Sequence, residues 1–151
     1  MDKNEPTTGS LVWHLAIRWR TEVDRAVARF GITHAQYSLL ASLHALQERG
    51  ISPTQRELAE YTGLQPIYVS KLVRSAEEAG HVVRKTDRDD SRALRLTLTK
   101  PGSALIVQAR SVVKALDERL TACLGGPNGA ETKRFKRTLR LLLDQSQSKG
   151  G

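Results

Sequence analysis

Apolar residues recur along this chain at two different intervals, and the points where the interval changes mark out its elements. From Val12 the set Val12, Ala16, Trp19, Val23, Val27 and Phe30 steps by three and four, which is one stripe of a long helix ending at Gly31. A second helix is expected after Ile32. Thr33 is placed to cap it, Gln36 three residues on can reach back, and Ile32 and Tyr37 fall where a hydrophobic staple would sit. Gly50 stops that helix. Thr54 and Glu57 repeat the capping pattern, and Gly63 closes a short third helix. Pro66 suits the first position of a fourth, which Gly80 ends. Two further helical stripes lie near the C-terminus. One carries Leu105, Ile106, Ala109, Val112, Val113, Leu116, Leu120, Cys123 and Leu124, and the other Leu139, Leu141, Leu142 and Leu143.

Between the fourth and fifth helices the interval shortens to two. The stretches "HVVRKT" and "ALRLTLT" are expected to pair as a hairpin with Leu94, Leu96 and Leu98 facing the core and Arg95, Thr97 and Thr99 facing out. Their connection is dense in charge: Asp87, Arg88, Asp89, Asp90 and Arg92.

Two short helices meeting at a glycine-containing turn form a helix-turn-helix pattern. Leu58 and Ala59 on the first helix and Val69, Leu72, Val73 and Ala76 on the second are its packing set. Ile67, Lys71, Arg74, Ser75 and Glu78 then point away, with Tyr68 and Ser70 on the flanks. Followed by a charged two-stranded ribbon, this becomes a winged helix-turn-helix. Its second helix fits a major groove, and its loop can reach a minor groove or phosphates. The fold class expected is mainly α with a small β wing, an α+β winged helix-turn-helix.

Composition agrees with that partner. The 151 residues hold 24 Lys and Arg against 16 Asp and Glu, a net charge of +8, and a basic balance suits a polyanion. The excess is divided between the middle of the chain and the C-terminal "KRFKRTLR", which is also explained by a solvated helix face. The length predicts a single domain spanning 1–151. No apolar run approaches the ~18 residues of a membrane span, and "MDKNEPTTGS" is too polar for a signal peptide, so a cytoplasmic protein is expected. The lone Cys123 sits in an apolar stripe and is expected to be a core residue. The four histidines lie on different elements. His14 and His44 are the pair able to meet, and two ligands do not complete a zinc site. Without HExxH, CxxC, GxSxG or GxxxxGK motifs, neither catalytic residues nor a metal or other cofactor are expected.

From Leu58 to Gly102 the order of elements, with the long helices on either side, resembles the MarR family of bacterial transcriptional regulators. The most specific match is in the wing, where Asp90, Arg92, Leu98, Thr99 and Gly102 meet the family pattern. The chain departs from it where Ile67 and Tyr68 stand in place of small hydroxyl residues. The resemblance implies a DNA-binding lobe over 33–100 and dimerisation helices over 10–31 and 101–146. It thus implies a homodimer on a pseudo-palindromic operator in double-stranded DNA; a monomer with its own helical bundle is the alternative. The surface expected on DNA is Gln65, Pro66, Ile67, Tyr68, Ser70, Lys71 and Arg74, with Lys71 or Arg74 able to donate to guanine and Ile67 to meet a thymine methyl. By the same resemblance Arg92 enters the minor groove, Asp90 holds the arginine or the wing base in shape, and Arg88 meets phosphate or the groove. Members of the family often respond to aromatic or lipophilic compounds. Trp13, Trp19, Tyr37 and His44 lie on helices that would border such a cleft, although tryptophans on such helices also serve packing. A repressor is expected, and the other reading is an architectural protein that coats DNA without sequence preference or ligand sensing.

Overall fold

A computed structural model describes residues 4–147, with side chains through Gln145. The ends of the chain, including the first three residues of the polar N-terminal stretch, lie outside the described part. Along it run α1 (Thr8–Val27), a 3-10 turn (Ala28–Phe30), α2 (His34–Glu48), α3 (Gln55–Thr62) and α4 (Pro66–Glu78). Then come β1 (Val82–Thr86), β2 (Leu94–Leu98), α5 (Lys100–Leu120), a second 3-10 turn (Ala122–Leu124) and α6 (Ala130–Gln147). The chain divides into two compact units, Met1–Val112 and Val113–Gly151.

The helix starts follow from local chemistry. Thr33 Oγ1 accepts the Gln36 N–H while Gln36 Oε1 accepts the Thr33 N–H, and Thr54 and Glu57 make the same reciprocal pair. Two of the orphan donors at each helix start are thereby satisfied. Gly63 ends α3 at φ 70°, the left-handed region that glycine enters without penalty. Pro66 opens α4, where its missing N–H loses nothing.

In the first unit, α1 packs on α2, α2 on α3, α4 and β2, and α3 on α4. The core is Val23, Val27, Leu39, Leu40, Leu43, Leu58, Val69, Val73, Leu96, Ile106 and Ala109, all at or near zero exposure. The helix-turn-helix packing set is buried as its spacing requires. β1 and β2 pair antiparallel, from Val82 opposite Leu98 to Thr86 opposite Leu94. The other edge of β2 is also used, since the Leu96 N–H donates to Pro53 O at 2.8 Å and Thr54 bridges Arg95. The segment entering α3 therefore makes a single isolated bridge to β2, which alternation alone does not reveal.

Three expectations need correction. Leu94 is 45% exposed, not in the core, because α2 and α3 cover Leu96 and Leu98 and the strand then projects past them. Arg95 does not face out; its side chain is about two-thirds covered and bonded on two sides. Cys123 is exposed, because α5 ends at Leu120 and the tighter turn that follows rotates position 123 off the helical stripe. Within the second unit, that turn is held by the buried Thr132, whose hydroxyl donates to Gly126 O at 2.6 Å.

Candidate nucleic-acid interface

α4 has two unlike faces. Val69, Leu72, Val73 and Ala76 are buried, whereas Gln65, Pro66, Ile67, Tyr68, Lys71 and Arg74 are exposed and Ser70 is half-buried. Ile67, at the helix start, is 72% exposed. An isoleucine this bare at a helix N-terminus gains nothing from the protein's own fold. Two polar contacts fix the axis of α4. Gln36 Nε2 donates to Ser75 Oγ at 3.0 Å, and Arg84 Nε on β1 donates to Glu77 Oε1 at 2.8 Å. Ser75 is thus turned toward α2 and not away from the protein.

The wing tip is shaped by its acids. The Asp87 N–H donates to Ala93 O at 2.9 Å and the Ala93 N–H to Asp90 O at 3.1 Å, closing the loop. Asp87 Oδ1 accepts the Asp89 N–H at 3.0 Å, and Asp90 Oδ1 accepts the Arg92 N–H at 3.0 Å. Asp90 therefore meets Arg92 at its backbone. The Asp89 N–H first, and then Arg95, hold the Asp87 carboxyl below the usual carboxylate range. Arg88, Asp90 and Arg92 are exposed, and among the described residues neither arginine has an acidic partner. Lys71 and Arg74 on α4 and Arg88 and Arg92 on the wing are thus solvent-facing cations.

The residues expected to border a ligand cleft are only partly brought together. Tyr37 and His44 are half-buried on α2, two turns apart. His44 Nε2 lies 3.3 Å from Glu48 Oε1, and Glu48 Oε2 lies 3.7 Å from Arg110 on α5. Burial pushes the Tyr37 hydroxyl up, with Arg110 acting against it. Trp19 is half-buried on α1, but Trp13 is 66% exposed, among Leu11, Val12, Leu15 and Ile17, which are also exposed.

A glycine-turned helix pair with one face of its second helix bare, beside a hairpin with a charged tip, is a winged helix-turn-helix. Residues 30–93 match the pattern that defines the MarR family. The chain is 34% identical over 127 residues to the HTH-type transcriptional repressor Rv2887 of Mycobacterium tuberculosis, spanning 84% of this chain and 88% of that one. The S. aureus MepR–DNA complex superposes with a TM-score of 0.82 at 25% identity, covering 95% of this chain and 99% of that one. The M. tuberculosis MarR family protein Rv2887, in complex with salicylic acid, superposes with a TM-score of 0.68 at 29% identity, covering 92% and 98%. This chain belongs to the MarR family of HTH-type transcriptional regulators, a family of regulators and not of enzymes. Among the described residues no helix is long and apolar enough to cross a membrane.

Proposed function

We propose that the protein is a homodimeric repressor that binds a pseudo-palindromic operator in the bacterial cytoplasm and is released by a small aromatic or lipophilic ligand. The observation that carries this reading is the bare face of α4, with Ile67, Tyr68, Lys71 and Arg74 exposed over a fully packed inner face. Such a helix offers an apolar contact for thymine methyls and cations for guanine or phosphate. Gln65, Pro66 and Ser70 complete that surface, and the wing adds Arg88 and Arg92, with Asp90 bracing the loop. MepR, to which the chain is similar in structure, was solved on DNA, and Rv2887 is named a repressor.

Dimerisation is supported by apolar surface with no use in the protomer. Leu11, Val12, Trp13, Leu15 and Ile17 on α1, with Leu141 and Leu142 on α6, are all more than two-fifths exposed. Exposed clusters of this kind mark protein contacts, and burying each large side chain is worth about 1.5–3 kcal/mol. A two-fold dimer through α1, α5 and α6 uses these residues, and Trp13 then serves the interface and not a ligand cleft. For the ligand, Trp19, Tyr37 and His44 remain as the border of the cleft, and the complex of Rv2887 with salicylic acid supports an aromatic occupant.

Selection of bound duplexes from a random pool, followed by sequencing, tests the reading. An enriched inverted repeat with half-sites about one helical turn apart is expected. No enrichment, with binding that depends only on salt, would instead make the protein an architectural DNA coat. In sedimentation, Trp13→Glu combined with Leu141→Glu should give monomers, and a persistent dimer would place the interface elsewhere.

A further inference from the structure

We infer that Arg95 is a positioning residue for DNA recognition: it locks the wing to α3 and, through the Asp87 carboxylate, sets where Arg92 stands. The inference rests on the proposed DNA reading for its consequence but not for its geometry.

Arg95 occupies an unfavourable position for a cation in a simple hairpin. It stands directly opposite Lys85 in the ladder, and like charges across a strand pair repel. Its guanidinium turns along the edge of β2 instead. Nη1 donates to Glu57 Oε2 at 2.7 Å and to Ser52 O at 3.3 Å, while Nε donates to Asp87 Oδ2 at 2.8 Å. Each acceptor is itself held. Glu57 Oε2 also accepts the Thr54 N–H at 2.8 Å, so it is fixed in the capping box of α3. The other oxygen of Asp87 accepts the Asp89 N–H, and the adjoining Asp90 accepts the Arg92 N–H.

Hydrogen bonds and two residues of chain therefore run continuously from α3 to Arg92. A two-stranded hairpin is poorly stable alone and free to swing about its base. Here its loop end, one pair from the turn, is tied to the helix against which α4 packs. The two parts of the protein that would enter adjacent grooves thus share one rigid frame. The planar fork of arginine is what allows one side chain to grip acids on both elements; a lysine, as a point charge, grips one well.

Two variants and two readouts test this. Arg95→Met keeps the apolar stem and removes the fork, and Arg95→Lys keeps the charge. In the protein without DNA, the backbone order parameter of Arg92 should fall from about 0.85 toward 0.6 or below in Arg95→Met, on the usual scale from rigid to flexible. Val73 in α4 should be unchanged, and Arg95→Lys should lie between. Asp87→Asn, which weakens the wing side of the link alone, should loosen Arg92 in the same way. On a duplex selected from a random pool, Arg95→Met should weaken binding about tenfold, the scale of one charge-assisted bond. In an Arg92→Ala background the same change should weaken it less than about twofold, because positions coupled through one element are not additive. An unchanged order parameter at Arg92 would overturn the inference whatever the DNA result. Equal losses in both backgrounds would also overturn it, since Arg95 would then act directly on DNA or on general stability. If the wild-type protein selects no sequence, the DNA reading fails and the consequence for recognition fails with it, while the relaxation result still decides whether Arg95 anchors the wing.

Discussion

Replacing Gly102 with alanine sets two energies of opposite sign against each other. Gly102 lies in the first turn of α5, and in a helix Gly→Ala is ordinarily favourable by up to about 1 kcal/mol. At this position a Cβ would lie inside the contact distance of the His81 carbonyl oxygen, with His81 C at 2.9 Å and His81 Cα at 3.0 Å. All three atoms are backbone, so no side chain can swing aside. Relief requires the start of α5 to move away from the corner between α4 and β1. Two bonds tie the start of α5 to that corner, Thr99 N–H to His81 O at 3.0 Å and Thr99 O–H to Gly80 O at 2.6 Å, while Gly102 N–H to Thr99 Oγ1 at 3.0 Å caps α5 itself. At about 1 kcal/mol net each, loss of the two amounts to about 2 kcal/mol. Subtracting the propensity gain leaves a net destabilisation of about 1 kcal/mol, or a fall in Tm of about 2–4 °C at this chain length. Urea and thermal unfolding followed by circular dichroism give both numbers. DNA affinity should fall too, because the end of α4 moves with the corner. A variant as stable as the parent, or more so, would show that α5 does not approach His81 this closely and would remove the physical reason for a glycine here.

Acidification should weaken the fold through His34. Burial lowers its pKa, outweighing the upward pull of Asp24. The unfolded chain therefore takes up this proton first, and the stability present above about pH 6.5 is lost as the pH falls through that value toward the depressed folded pKa. The urea midpoint should be lower at about pH 5.5 than at about pH 7.5, and His34→Gln should flatten the difference; an equal difference in the variant would assign it to other groups. Thr33→Ala removes the acceptor of the Gln36 N–H and loosens the glutamine that also holds Ser75 of α4. A loss of about 0.5–2 kcal/mol is expected, recovered by Thr33→Ser, and a wild-type melting curve for Thr33→Ala would show that the cap contributes nothing.

Local chemistry was the part of the fold most open to reading. The pairs Thr33/Gln36 and Thr54/Glu57 sit three residues apart, and their geometry depends on little beyond the helix itself. The glycine stops at Gly31, Gly50, Gly63 and Gly80 all adopt positive φ, and the buried side of α4 is the one its spacing marks. What escaped depends on distant partners. Alternation along β2 gives the side on which Leu94 and Arg95 fall, but not how far α2 and α3 extend over the strand. The second roles of the capping residues were also hidden. Gln36 reaches Ser75 across 39 positions and Glu57 reaches Arg95 across 38, and neither pairing leaves a local trace. The charged loop was legible as a wing tip, whereas the function of Asp87 as the partner of Arg95 emerges only when β2 is placed beside α3.

The central claim is that the bare face of α4 reads base edges in the major groove as one of a two-fold pair. Repeating the selection from a random DNA pool with Ile67→Ser tests this most directly, because Ile67 is exposed and its replacement leaves the buried face of α4 untouched. Loss of a thymine-methyl contact should change the preferred base at one position in each half-site, symmetrically about the centre, and leave the other positions and the half-site spacing unchanged. An identical consensus from the variant and the parent would contradict the account.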